Sequence, residues 1–317
     1  MIDPELAAII ELIPNIDLTD PVAARAGFEA MLAALRSDIK GIDDLLIEDR
    51  QVPGWQDDTG SDPDVSIRVY RPKVPAGPVP GILLIHGGGF IIGSVEGEHV
   101  GAARTALDVG AVVVSVEYRL APEHPFPAGL HDCYAALTYL SEHSEELGVD
   151  PARLALCGTS AGGGLAAATA LLARDFGGPP LCFQMLHIPE LDDRLETTSM
   201  QTFTDSPIWN QPLAVQSWDA YLGTGADRDN VSPYAAPARS TDLSGLPPAY
   251  ISTAEMDPLR DEGMLYALGL LRDGVSVELH QFPGTFHGSA LVTTAAISRR
   301  AQRESIVVLR RALGVDE

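Results

Sequence analysis

Positive charge is scarce in this chain of 317 residues: 21 Lys and Arg stand against 44 Asp and Glu, for a net charge of −23. Such a surface repels nucleic acid and anionic membranes, aids solubility and suits a neutral or cationic small molecule. Long apolar runs are missing as well, and none approaches the roughly 18 residues of a membrane span. No Lys or Arg precedes Arg25, whereas Asp3, Glu5 and Glu11 do. The basic start of a secretory signal is therefore lacking, and a cytoplasmic location is expected. Only three cysteines occur, Cys133, Cys157 and Cys182; they cannot all pair, and buried reduced thiols are expected. His99, His124, His131, His143, His187 and His280 show no metal-ligand spacing with Cys or carboxylates, which disfavours zinc. No metal and no cofactor is expected.

What remains is ordinary for a globular protein: 45% apolar and 21% charged residues. A chain of this length buries about three quarters of its unfolded surface, enough for one large core. No internal repeat, low-complexity tract or flexible linker divides it.

Asp3-Pro4 and Asp20-Pro21 each look like an N-cap followed by proline at the first helical position. Leu6, Ile9, Ile10 and Ile13 then share one helical face, as do Phe28, Met31, Leu32 and Leu35. Two amphipathic helices should precede the first strand. Further on, Val65, Ile67 and Val69 alternate with Ser66, Arg68 and Tyr70, the pattern of a half-exposed antiparallel strand. Buried strands are expected at Gly81–His86, Ala111–Glu117, Leu154–Cys157, Leu181–His187, Ala249–Thr253 and Val275–Gln281, separated by helical stretches near 97–109, 128–146, 161–175, 261–273 and 293–313. That alternation implies a mostly parallel sheet covered on both faces. The interval from His187 to Ala249 is too long for a simple crossover; with a helix expected near Pro212–Leu222, it could form a lid with the N-terminal helices.

Gly158-Thr159-Ser160-Ala161-Gly162 lies between an apolar strand and a good helix sequence, the setting that a G-x-S-x-G nucleophile elbow requires. Serine is a weak nucleophile at neutral pH, so Ser160 needs a base, and the base needs an orienting carboxylate. Asp257 and His287 each follow a late strand in the chain order Ser, Asp, His. Competing roles stay open at this stage: Asp257 could cap a helix ahead of Pro258, Glu255, Asp261 and Glu262 are rival carboxylates, and His287 could be a surface-loop residue. His86-Gly87-Gly88-Gly89-Phe90 stands at the end of another strand, where amides of Gly88 and Gly89, with that of Ala161, would form an oxyanion hole. A phosphate loop is disfavoured, because no Gly-Lys-Ser/Thr follows. His86 should hydrogen-bond this loop and Arg119–Pro127 should brace it, with Glu117 also structural. Asp192-Asp193 reads as a loop ion-pair partner. Phe203, Trp209, Trp218 and Tyr221 could line an acyl or alcohol pocket or pack inside the lid.

Together, His86–Phe90, Tyr118-Arg119-Leu120-Ala121-Pro122-Glu123-His124-Pro125-Phe126-Pro127-Ala128, Gly158–Gly163 and Asp257–Gly263 resemble the hormone-sensitive lipase family of α/β hydrolases, the bacterial family IV carboxylesterases, over about residues 65–313. The resemblance implies the α/β-hydrolase fold, a mostly parallel central sheet flanked by helices, with a helical cap. It implies residues 1–45 as the N-terminal part of the cap, 46–188 and 236–317 as the two parts of the core, and 189–235 as the cap insertion. Ser160, Asp257 and His287 would be the triad, and Gly88, Gly89 and Ala161 the oxyanion hole. The expected activity is hydrolysis of small esters with short to medium acyl chains, and a homodimer through a late edge strand is what the family suggests. Thr159 before the nucleophile, with Leu191-Asp192-Asp193-Arg194, places the chain in the GTSAGG branch. Glu255 and Ser289 stand where a small residue and Phe are more usual, which bears on substrate preference and pH behaviour. Two rival functions share these residues: a non-catalytic small-molecule-binding protein on the same fold, and an amidase or lactonase.

Overall fold

In the computed structural model, which describes residues 1–12, 16–35, 38–57, 60–74 and 77–315, β-branched and aliphatic runs form one eight-stranded sheet. Ten strands occur in chain order: β1 (Leu45–Val52), β2 (Gln56–Asp57), β3 (Gly60–Ser61), β4 (Val65–Pro72), β5 (Val79–Ile85), β6 (Val112–Glu117), β7 (Val149–Thr159), β8 (Phe183–His187), β9 (Ala249–Met256) and β10 (Val277–Phe286). The short β2 and β3 pair with each other; the rest lie in the order β1-β4-β6-β5-β7-β8-β9-β10. β4 runs opposite to both of its neighbours, and every pair from β6 to β10 is parallel. On β4, Val65, Ile67 and Val69 are buried while Ser66 and Arg68 are half-exposed, as the alternation predicts, but Tyr70, expected with the exposed set, is fully buried in the core on the other face of the sheet.

The helices are α1 (Pro4–Ala7), α2 (Pro21–Leu35), α3 (His99–Val109), α4 (Ala128–Glu142), α5 (Ser144–Leu147), α6 (Ala161–Phe176), α7 (Thr198–Thr202), α8 (Gln211–Leu222), α9 (Arg260–Arg272) and α10 (Ala296–Ala312). Because strand side chains alternate in direction, Leu83 and Ile85 on β5 join one core with α4, α6 and α9. Ile82 and Leu84 face the other way, toward α3 and α10. The inner strands are therefore dry on both faces, which explains their continuous apolar character.

Several expectations need correction. α1 is a single turn with Asp3 as its side-chain cap, followed by a 3-10 turn at Ile10–Leu12; Ile13 lies outside the described residues. The helix was expected to continue, but the segment is held by another part of the chain. Asp3 N–H donates to Gly284 O at 2.9 Å, Ala296 N–H donates to Glu5 Oε2, and Leu6 packs against Phe286 and Ala295. The stretch 128–146 is two helices, broken at His143. β9 and β10 run further than expected, to Met256 and Phe286, because pairing resumes across an irregularity after Phe282. Cys133 and Cys157 are buried, but Cys182 is only half-buried; all three are free.

Candidate active site

Ser160 sits between β7 and α6 with φ 57° and ψ −123°, a left-handed φ that a non-glycine residue holds only when its surroundings force it. The forcing contacts are backbone. Ser160 N–H donates to His187 O at 2.8 Å, and Ser160 O accepts from Gly164 and Glu190 amides, each at 3.0 Å. A Cβ on Gly158 would lie 2.1 Å from Gly162 O, and one on Gly162 would lie 2.2 Å from Ile85 O. Strand and helix can cross this closely only where those side chains are absent, which is the physical reason for glycine on both sides of the serine.

The fold brings Ser160, His287 and Asp257 together. Ser160 Oγ is 2.9 Å from His287 Nε2, and His287 Nδ1 is 2.8 Å from Asp257 Oδ2. A carboxylate only accepts, so Nδ1 carries the proton and Nε2 is left to accept from the serine hydroxyl. The three residues are 5%, 4% and 0% exposed in the order Ser160, His287, Asp257. Asp257 does not cap α9, whose N-cap is Leu259 without a side-chain bond; its Oδ1 instead accepts from Leu259 N at 2.9 Å within the loop. The rival carboxylates are occupied elsewhere. Glu255 accepts from Gly284 N at 2.6 Å, Asp261 from Ser199 N at 2.8 Å, and Glu262 from Leu191 N at 2.6 Å.

Gly88 and Gly89 follow β5 with φ of 128° and 55°. The amides of Gly88, Gly89 and Ala161 donate no hydrogen bond among the described residues. The loop itself is braced as expected. His86 Nδ1 lies 2.9 Å from Gly87 O, its ring stacks on Tyr118, and burial pulls its pKa down to about 4, so it stays neutral. Ala121 N–H donates to Phe90 O at 2.9 Å, and Arg119 grips buried Asp132. Glu117 accepts from Val95 N at 2.8 Å.

Ser160, His287 and the glycine loop open on a cavity of about 440 Å³. Trp209, Ile208, Phe28 and Leu32 line one part of it; another part runs along the sheet past Cys157 and Met185 toward α3 and α10. Glu98 borders this inner part, and burial pushes its carboxyl up to about 7. Of the four aromatics of the 189–235 segment singled out in the sequence, only Trp209 lines the cavity. Trp218 and Tyr221 pack on Phe90, and Phe203 lies under the Arg260 guanidinium. Asp192 pairs with Arg194 and Asp193 with Arg239, the ion-pair role expected for that dipeptide. Among the described residues no group of three or more His, Cys, Asp or Glu side chains is arranged to hold a metal ion. Sequence reasoning passed over Glu190 and Ser217, which lie against the glycine loop; a glutamate just past a strand reads as exposed, and nothing in its neighbours signals otherwise.

A family model described as the alpha/beta hydrolase fold matches residues 82–291. The chain belongs to this family. The hydrolase is 40% identical to carboxylesterase NlhH of Mycobacterium tuberculosis over 318 aligned positions, covering 98% of this chain and 96% of that one. It is 37% identical to esterase LipI of the same organism, over 90% and 87% of the two chains. Among solved structures, a bacterial heroin esterase superposes with a TM-score of 0.94 at 53% identity, with 98% of each chain covered. A thermostable esterase from Pseudomonas putida gives 0.90 at 31% identity, also with 98% of each covered. The hydrolase is of the hormone-sensitive lipase, or family IV, type that its motifs resemble.

Proposed function

We propose that this hydrolase is a serine carboxylesterase acting on esters with short to medium acyl chains. The observation that carries the reading is the unbroken hydrogen-bonded chain Ser160–His287–Asp257 beside three unpaired backbone amides. Esterases over nearly the whole chain among its relatives support the same activity. Ser160 Oγ attacks the ester carbonyl as His287 Nε2 takes its proton. Asp257 holds the imidazole in the required tautomer and stabilises its cation. The carbonyl oxygen, now negative, is met by the amides of Gly88, Gly89 and Ala161, each donor being worth about 10²–10³ in rate. His287 returns the proton to the leaving alkoxide oxygen, the C–O bond breaks and the alcohol departs. Water, deprotonated by the same nitrogen, then releases the acid and restores Ser160.

Residues 1–45 and 189–235 form the cap in this reading, supported by Phe28, Leu32, Ile208 and Trp209 at the cavity wall. A cavity of about 440 Å³ sits near the lower end of ligand pockets, roughly 300–1,000 Å³, which favours small esters. Three free cysteines suit a reducing compartment such as the cytoplasm. β10 is a free sheet edge carrying exposed Leu279, which supports pairing of two copies there. Amide and lactone hydrolysis would use the same groups, whereas a purely binding role leaves the aligned triad without a purpose.

The test is turnover of a chain-length series of p-nitrophenyl esters by the purified protein and by Ser160→Ala. Turnover should peak at short to medium acyl chains. Ser160→Ala should stay folded, lose hydrolysis and escape labelling by a fluorophosphonate. Retained turnover by that variant rejects the nucleophile; tight ligand binding without turnover by the unaltered chain supports the binding role.

A further inference from the structure

Ser217 Oγ, on α8, stands 2.9 Å from Gly89 O and 3.0 Å from Glu190 Oε1. A hydroxyl has one proton, so it cannot donate to both; both contacts are hydrogen bonds only when that proton goes to Gly89 O, because a backbone carbonyl has no proton to give in return. Toward Glu190 the hydroxyl then has only lone pairs to offer. An ionised carboxylate is acceptor-only too, so the 3.0 Å contact is a hydrogen bond only if Glu190 carries a proton of its own. The surroundings favour that state. Glu190 is 0% exposed, and its Oε2 has no partner among the described residues, which a neutral carboxyl tolerates far better than an anion does. The titratable groups facing it are Asp257 on the β9–α9 loop, Glu262 on α9, Tyr221 on α8 and Tyr118 after β6; none is a cation. Burial pushes the Glu190 carboxyl up to about 8; the Ser217 contact pulls the other way but is outweighed, and the nearby Asp257 charge adds to the rise. The same residue's main chain is bonded to the nucleophile, through Glu190 N–H to Ser160 O at 3.0 Å.

We propose that Glu190 is a positioning residue that works in its neutral form: its carboxyl O–H donates to Ser217, the Ser217 hydroxyl donates to Gly89 O, and the relay holds the glycine loop at a set distance from the nucleophile elbow. This rests on the reading of Ser160 and the glycine loop given above. The relay grips the peptide that follows the Gly89 amide, so its loss lets the loop relax. The amides act on the oxyanion, which exists only after attack, so the effect falls on kcat rather than KM. Ionisation of Glu190 makes it the stronger acceptor, so the Ser217 hydroxyl turns to the carboxylate and the bond to Gly89 O is lost.

The experiment is a set of pH–rate profiles with p-nitrophenyl butyrate from pH 6 to 10, corrected for spontaneous hydrolysis, on the unaltered chain, Glu190→Gln, Glu190→Ala and Ser217→Ala. The unaltered chain should lose about five- to tenfold in kcat above about pH 8 at nearly constant KM, the worth of one such bond. Glu190→Ala should already have lost that factor at pH 7. Glu190→Gln, whose amide donates and never ionises, should recover it and show no alkaline fall. Ser217→Ala should have the lower kcat and a flat profile, since ionisation of Glu190 no longer reaches Gly89. A flat profile for the unaltered chain, or an unchanged alkaline fall in either Glu190→Gln or Ser217→Ala, overturns the proposal. If the Glu190 variants do not fold, Ser217→Ala decides alone. Failure of the nucleophile assignment is seen separately, as turnover or fluorophosphonate labelling in Ser160→Ala.

Discussion

Cη2 of Trp209 stands 2.3 Å from the point where a Cβ on Gly89 would lie, and Gly89 holds a φ of 55°. The indole occupies the space a side chain would need, so loop and indole fit together only with glycine at this position. Gly89→Ala should lower kcat for p-nitrophenyl butyrate by about 100-fold or more, the worth of an oxyanion donor. Adding Trp209→Ala should restore part of the loss but not all, because a left-handed φ still costs alanine about 1 kcal/mol. Full activity in Gly89→Ala would remove this amide from the reaction.

Asp257 and Glu255 are two residues apart, yet they serve different partners. Asp257 orients the His287 imidazole, whereas Glu255 binds the Gly284 amide and the Arg260 guanidinium lies against its carbonyl. Asp257→Asn should cost about 10⁴-fold in kcat, since the amide favours the wrong tautomer. Glu255→Gln should cost less than about tenfold, through a slackened loop. The opposite ranking in steady-state kinetics would move the orienting role to Glu255.

The raised pKa of Glu190 also has a stability consequence with a definite sign. Its ordinary value is 4.5 and its folded value about 8. Below about pH 4.5 both states carry the proton, and the native state is not penalised. Between there and about pH 8 the unfolded chain ionises while the folded chain does not, so stability falls with rising pH and then levels off. Glu190→Gln lacks this loss. Its advantage over the unaltered chain should grow by an amount on the order of a few kcal/mol from pH 5 to pH 8 in urea denaturation. An advantage that does not change with pH would mean the carboxyl ionises normally in the fold.

Asp132 is buried on α4 and accepts from the Arg119 amide at 2.8 Å, Nε at 2.9 Å and a terminal guanidinium nitrogen at 2.8 Å. Asp132→Ala would leave a half-buried guanidinium without its main partner, with about 3–5 kcal/mol lost in denaturant unfolding. A loss under about 1 kcal/mol would show that Asp62, the second acid on Arg119, carries the site by itself.

The inner strands and their helices were legible because strands buried on both faces must be apolar throughout, and the intervening helices must turn an apolar stripe inward. The nucleophile elbow was legible for a similar reason: Gly158 and Gly162 mark a crossing that no other residue permits. Element ends were harder. Pro283-Gly284 reads as the end of a strand, yet Phe286 pairs with Met256 beyond it. α1 has a good cap and a helical pattern but stops after one turn, because its segment is tied to the Gly284 loop instead. Asp257 rather than Glu255 was already the acid the motif resemblance implies, and its 2.8 Å approach to His287 Nδ1 supports that choice. Glu190 and Ser217 had no signal at all; both are buried because α8 and the chain after β8 meet at the glycine loop, a property of the whole fold.

Leu6 has no exposed surface and rests on Phe286, the residue just before His287. The opening turn of the protein thus works as a splint across the loop that carries His287. Trimming the first half-dozen residues, or crowding Pro4 with a bulky affinity tag, would loosen the reaction centre from a place remote in the chain. A handle for purification or immobilisation belongs at the other terminus.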